Sequence, residues 1–321
     1  MTTFKMMLTA AAAAAALTGL GQGGFTSAAQ AQTQPINPDG RPDYAAVQAD
    51  PAMWVVRDAD STVYLFGSFH LLPPALDWRT EPVDAALAEA DTVWFEADAF
   101  SDDAQAQMQA LLPQLGFNPP GVALSDLIDE DARADLAEVA GMLGAEPAAL
   151  AASLDPMRPW LASLQIAVAG IQALGYDPNS GVERVLHVEA EAAGKAFDYF
   201  ETAEQQMRFF ADLPLEVQVA ELERALEEMA EEPDMIEALA VAWAEGDVAG
   251  IDAMVNASMR DSGSALYEVI IVQRNRDWIP QIVEILDGEG VDFVAVGAAH
   301  MPGDQGVIAL LEAEGYAVER R

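Results

Sequence analysis

The 321-residue sequence contains no cysteine. That excludes disulfides, thiolate catalysis and any cysteine-held zinc or iron–sulfur centre, so the fold rests on its apolar core, and a metal could be held only by His, Asp or Glu. Basic residues are scarce as well: 15 Lys and Arg stand against 53 Asp and Glu, a formal net charge of −38. Such a surface repels phosphate backbones and anionic lipid, which argues against nucleic-acid partners. The acidity is spread along helical stretches such as 216–237 and reads as solvated helix faces. Only three histidines occur, His70, His187 and His300. Beyond the N-terminal block no run is long and apolar enough to span a membrane.

What is present begins with that block. Lys5, the apolar stretch Met6 to Leu17 and the small-residue ending Ala29-Gln30-Ala31 have the three parts of a secretory signal peptide. The apolar stretch is well short of the roughly 20 residues of a spanning helix. The expectation is a signal peptide over 1–31, export to the periplasm, and no membrane anchor after cleavage. Residues 32–50 are rich in Pro, Gln, Asn and Asp and read as a flexible leader. A single domain is expected over 51–321, its 52% hydrophobic composition being ample for a core.

Two stretches share one layout. Val63 to Phe66 is a β-rich run followed by Gly67, Ser68, Phe69 and His70, and Phe293 to Val296 is another followed by Gly297, Ala298, Ala299 and His300. Each Gly-x-x-His is followed by Leu or Met and a nearby Pro, then by a helix and a strand. The sequence therefore predicts an α/β fold: a central mixed sheet built from two related strand-GxxH-helix-strand halves and flanked by helices. A large helical insertion is expected, with helical regions over about 101–175 and 207–260. Met53 to Val56 and Thr62 to Phe66 read as a hairpin, and helices are expected over 266–276 and 279–286.

Strands 92–97 and 196–200 end on carboxylates, Glu96 and Glu201. Sites in open α/β sheets lie at the carboxyl ends of the strands, so His70, Glu96, Glu201 and His300 are expected at one sheet edge. His, His and Glu can hold a divalent ion with a position left for water, or serve without metal as general base and acid. The spacing alone leaves both open. Arg274 lies four residues after Ile270 and seven after Tyr267, on a face that should pack inward, and could pair with Glu96 or polarise a substrate carbonyl. His187 reads as an exposed bystander on the helix Val182 to Ala193.

The residues that carry the duplicated motif also carry a resemblance. Trp54-Val55-Val56 with Val63 to His70, then Phe95-Glu96-Ala97-Asp98, Phe200 to Gln206, Arg274-Asn275-Arg276-Asp277-Trp278 and Val296 to Gly303 make the chain similar to the TraB/GumN family. That family includes Tiki-type proteases and is distantly similar to erythromycin esterases and ChaN-like haem-binding proteins. Ser68 stands where threonine is common and Met301 where leucine is, and neither change removes a functional side chain. The resemblance implies a metal-dependent hydrolase of peptide or amide bonds. His70, Glu96 and His300 would be its metal ligands, the ion being Mn, Co or Zn, with Arg274 and Glu201 beside them. The partner expected is a peptide or small-molecule substrate. The alternatives are a non-catalytic metal- or haem-binding protein, and a vestigial site on an interaction protein.

Overall fold

A computed structural model of the chain describes residues 43–44, 47–231, 235–261 and 265–321. The expected signal peptide and most of the expected leader lie outside these residues. The chain divides into two compact units, one from the described parts of 98–176 and 202–236, the other from those of 38–97, 177–201 and 237–321.

The second unit holds the sheet. Among the described residues it has six strands: β1 (Met53–Arg57), β2 (Ser61–Ser68), β3 (Thr92–Ala97), β4 (Ala196–Glu201), β5 (Gly290–Gly297) and β6 (Val318–Arg320). Their order is β4-β3-β5-β2-β1-β6. The four strands β4, β3, β5 and β2 are mutually parallel, and β1 and β6 add antiparallel pairings at one side. The sheet is therefore mixed, as the sequence predicts. The leader expected over 32–50 already carries order near its end, because Asp50 N–H donates to the Ala244 carbonyl.

Alternation along the strands builds two apolar layers. Val63, Leu65, Val294 and Val296 face one side, where Trp278, Ile282 and Leu286 of the helix Arg274–Leu286 and Val307 and Leu311 of the helix Val307–Ala313 close over them. Tyr64, Phe66 and Phe293 face the other side, against Trp78 and Trp243. The two helices expected over 266–276 and 279–286 are instead one helix through Pro280, preceded by a wider, π-helical winding over Glu268–Gln273. An interior proline costs about 3 kcal/mol, but each large side chain that the continuous helix buries returns roughly 1.5–3 kcal/mol.

The two motif strands lie side by side. β2 and β5 pair in parallel with Gly67 opposite Val296 and Ser68 opposite Gly297. The halves then diverge. The helix Glu81–Glu89 after the first motif leads to β3, which enters the parallel part of the sheet beside β5, whereas the helix Val307–Ala313 after the second leads to β6, an antiparallel edge.

The first unit is helical. The helix Leu215–Glu231 packs against Glu130–Met142 and Pro159–Ala173, and Asp102–Leu115 packs against Ala203–Ala211. Its helix starts follow from short polar caps: Ser101 Oγ accepts from Ala104 N, Asp129 Oδ1 accepts from Ala132 N, and Thr202 with Gln205 forms a reciprocal capping box. Of the two regions expected to be helical, about 101–175 and the part of 207–260 up to 236 belong to this unit, and the remainder of the second belongs to the sheet-bearing unit. No helix among the described residues is long and apolar enough to cross a membrane.

Candidate active site

All five residues singled out from the sequence meet at the carboxyl ends of β2, β3, β4 and β5, within the sheet-bearing unit. Each strand contributes by where it stops. β3 carries Glu96 and β4 ends at Glu201, while β2 and β5 run out into the loops that hold His70 and His300.

Arg274 stands at the centre. Its Nε donates to Glu201 Oε1 at 2.8 Å, its Nη2 to Glu201 Oε2 at 2.9 Å and to Glu96 Oε2 at 2.5 Å. Its Nη1 lies 3.2 Å from His300 Nε2 and 3.4 Å from the Ile270 carbonyl. Burial opposes the charge on the guanidinium, but Glu201 and Glu96 outweigh it and drive its pKa up. For Glu96, burial is the largest single influence and opposes ionisation. Arg274, His300, His70 and the Gly297 N–H together outweigh it and hold the carboxyl at about 2. This is the pairing the sequence anticipated for Arg274.

His300 is locked on both ring nitrogens. Its Nδ1 lies 2.6 Å from Asn275 Oδ1, and the Asn275 amide nitrogen donates to the His300 carbonyl at 3.2 Å and the Gln305 carbonyl at 2.7 Å. With that amide nitrogen donating to two carbonyls, Oδ1 is the acceptor and His300 carries its proton on Nδ1. Nε2 is then a lone pair that accepts from Arg274. Burial first, then Arg274 and His70, push the imidazolium form down to about 3 against the pull of Glu96, so His300 is neutral at physiological pH. Trp278 packs against it at a tilt, ring centroids 4.5 Å apart, and donates its indole N–H to Glu201 Oε1 at 2.8 Å.

His70 is held differently. Its Nδ1 lies 2.5 Å from Glu183 Oε1, and Ser68 Oγ donates to that same oxygen. Glu183 arrives there because the helix Val182–Ala192 is docked by its start onto the motif loop. Val182 N–H donates to the Phe69 carbonyl, and a Cβ on Gly181 would fall 1.9 Å from the His70 carbonyl oxygen. Only glycine allows that approach.

The motif glycines have separate reasons. A Cβ on Gly67 would lie 3.1 Å from Ala298 Cα, so its absence lets the two motif loops touch. A Cβ on Gly297 would lie 3.1 Å from Glu96 Oε1, 3.6 Å from His300 Cδ2 and 3.9 Å from His70 Nε2. The absence of a side chain at Gly297 thus lets all three approach its backbone, and Gly297 N–H donates to Glu96 Oε1 at 2.7 Å.

The fit of a metal can be judged from these donors. Among the described residues no three His, Asp or Glu side chains are arranged to hold an ion, and Arg274 supplies the reason. Its guanidinium occupies His300 Nε2 and Glu96 Oε2, the atoms that two of the three expected ligands would offer, and Asn275 holds the other nitrogen of His300. As placed, the residues build an arginine-centred cluster and do not fit the implied three-ligand site.

Glu183, Asn275, Ser68 and Trp278 were not read from the sequence as site residues. A signal existed for Glu183, an acidic residue at positions three and seven before Leu186 and Ala190 on the buried face of its helix. Asn275 and Trp278 follow Arg274 at helical spacings of one and four, within a motif already noted. His187 is no exposed bystander: it is partly buried and stacks on Phe197, centroids 4.5 Å apart.

Comparison with family models matches residues 52–320 to one family, described as TraB/PrgY/gumN. Comparison with curated proteins and with solved structures returned no significant match.

Proposed function

The chain belongs to the TraB/PrgY/gumN family, and from that premise we propose that it is an exported hydrolase of peptide or amide bonds acting through a histidine-activated water. One observation carries the reading: His70 Nε2, Glu96 Oε1 and the His300 ring all lie within 4 Å of one point beside the Gly297 backbone. A water or a substrate carbonyl held among these side chains would have a proton acceptor on one side and a cluster of fixed charge on the other. Export rests on the 1–31 pattern, and N-terminal sequencing of protein purified from its host would check it.

The chemistry needs one proton carrier. His70 Nε2 takes a proton from the water, whose oxygen attacks the carbonyl carbon. The same proton then passes to the leaving nitrogen as the C–N bond breaks, giving a carboxylic acid and an amine. Glu96 and Glu201 hold Arg274 in place, and Arg274 with Asn275 holds His300, so the wall facing His70 is rigid before substrate arrives. Preorganisation of this kind removes reorganisation from the chemical step.

The resemblance implies a metal-dependent version with His70, Glu96 and His300 as ligands. It would require Arg274 to leave both Glu96 and His300. Haem ligation by His300 Nε2 would likewise displace Arg274 from that nitrogen. The deciding experiment is incubation of purified protein with a peptide library, with and without chelator, beside His70→Ala, His300→Ala and elemental analysis. Cleavage that survives chelation and is lost in His70→Ala supports the proposal. Stoichiometric metal lost in both variants would replace it with the metal-dependent mechanism. No cleavage under any condition, with His70→Ala indistinguishable from the parent, would end the hydrolase reading.

A further inference from the structure

β4 is an end strand of the sheet among the described residues, and it runs directly to Glu201 of the candidate site. We propose that its outer edge takes an extended peptide as an added strand, with a basic residue beside Asp198 and an apolar residue on either side of it. The proposal rests on the hydrolase reading in making that peptide a substrate, but the docking itself can be measured without cleavage. Every residue it uses lies in the sheet-bearing unit.

Backbone direction comes first. Ala196 N–H donates to the Asp91 carbonyl at 3.2 Å, and β4 pairs with β3 in parallel with Asp198 opposite Trp94. Ladder alternation therefore turns the amides of Ala196 and Asp198 toward β3 and those of Phe197 and Tyr199 away from it. The Tyr199 amide agrees: it donates to Asp198 Oδ1 at 2.8 Å, in a bond exposed to solvent. A strand laid along this side would exchange backbone hydrogen bonds with Phe197 and Tyr199, taking the Tyr199 amide over from the Asp198 carboxylate.

The side chains give the occupant its chemistry. Asp198 is exposed and shares a sheet face with Trp94, whose indole N–H donates to Asp292 Oδ1 at 2.9 Å. Burial first, then Asp91 and Asp198, raise the Asp292 carboxyl against that bond, so negative charge is in excess at this face. Phe197 and Tyr199 are partly buried and lie on the opposite face, where His187 stacks on Phe197. On an added strand the residue beside Asp198 shares its face at about 5 Å, which favours a basic side chain, and the residues flanking it share the aromatic face, which favours apolar ones. A second copy of this chain is the poorer occupant, since it would set a charge of −38 against another and bring two acidic edges together. The added strand would lie three strand spacings from β5, roughly 14 Å, a span that about four to five extended residues cover. A peptide docked on β4 is thus able to reach Gly297 with residues beyond the docked triplet.

The test is fluorescence anisotropy of labelled, end-blocked heptapeptides on the full chain and on His70→Ala, which separates binding from cleavage. The probes are Thr-Thr-Val-Lys-Val-Thr-Thr, the same peptide with Glu for Lys, and two copies of the first that carry N-methyl groups either on both Val amides or on the Lys amide. The Lys peptide should bind about fivefold tighter than the Glu peptide, and Asp198→Lys should reverse that preference. One N-methylated copy should lose binding by about fivefold or more while the other stays within roughly twofold, since only alternate amides of an added strand face β4. Equal loss in the two copies, a charge preference untouched by Asp198→Lys, or no binding of either peptide at about millimolar concentration would each overturn the proposal. Binding with the expected pattern, but no cleavage of longer peptides that carry the triplet, would remove the hydrolase reading and leave the docking edge standing. Cleavage without that pattern would do the reverse.

Discussion

The Gly297 amide donates to Glu96 Oε1 at 2.7 Å across 201 positions of sequence, and a methyl group on Gly297 would stand 3.1 Å from that same oxygen. One residue therefore supplies both a donor to the buried carboxylate and the space in front of it. Gly297 has φ −49 and ψ 135, which alanine adopts without strain.

Gly297→Ala should consequently fill the site rather than distort the backbone. The variant is expected to lose peptide cleavage at least about tenfold while its melting temperature falls by no more than a few degrees. Gly67→Ala should behave in the opposite way, because its Cβ meets the Ala298 backbone at 3.1 Å and forces the motif loops apart. A destabilisation of about 1–3 kcal/mol is expected for that overpacking. Paired thermal melts and activity assays check the contrast, and equal loss of stability in both would refute the separate roles.

Arg274→Ala removes the cation shared by Glu96 and Glu201, all three side chains being almost fully buried. Breaking a buried pair by deleting one partner costs about 3–5 kcal/mol. Arg274→Lys should recover only part, since a point charge cannot reproduce the fork that meets Glu201 through Nε and Nη2. Chemical denaturation of the two variants measures this. A lysine variant as stable as the parent would show that the fork geometry is unimportant.

Acid should weaken the fold through two groups in sequence. His300 has its folded pKa at about 3, below the ordinary 6.5, and Glu96 at about 2, below 4.5. Between each pair of values the unfolded chain binds more protons than the folded one, so stability rises with pH there. The His300 contribution is complete above pH 6.5 and is lost as pH falls toward 3; that of Glu96 is lost below 4.5. Unfolding free energies between pH 7 and 5 should fall more steeply for the parent than for His300→Gln, by up to about 1.4 kcal/mol per pH unit. Parallel slopes would show that His300 is not held neutral by its surroundings.

Asn275→Leu should destabilise by more than its volume change explains. The substitution keeps the size but strips a partner from His300 Nδ1 and from the carbonyls of His300 and Gln305. At roughly 1–3 kcal/mol for each buried group left unpaired, a loss of at least about 2 kcal/mol is expected. Calorimetry on Asn275→Leu beside Asn275→Asp gives the measurement, and a loss below 1 kcal/mol in both would mean that water replaces the amide.

The sheet was legible because period-two alternation and strand-ending glycines are local properties. Val63 to Gly67 and Phe293 to Gly297 declare themselves as strands by composition, and the position of a site at strand ends follows from parallel α/β geometry. Glu96, Glu201, His70 and His300 were legible for the same reason, each being polar where a neighbouring apolar pattern stops, and Arg274 was legible as a charge on a helix face that packs inward. The single helix through Pro280 was not, because the burial that outweighs the proline comes from strands elsewhere in the chain.

The amino-acid sequence by itself determined that no cysteine chemistry is available, that two strands end in GxxH, and that the fold is α/β, since residue type and spacing are enough for each. Tertiary structure alone decided that Arg274 is the common partner of Glu96, Glu201 and His300, the four coming from separate segments. It alone decided that one histidine stands before a carboxylate and the other before an amide. No spacing rule carries that information: Glu183 and Asn275 reach their histidines only after a glycine-docked helix start and a buried helix face have been packed against the sheet.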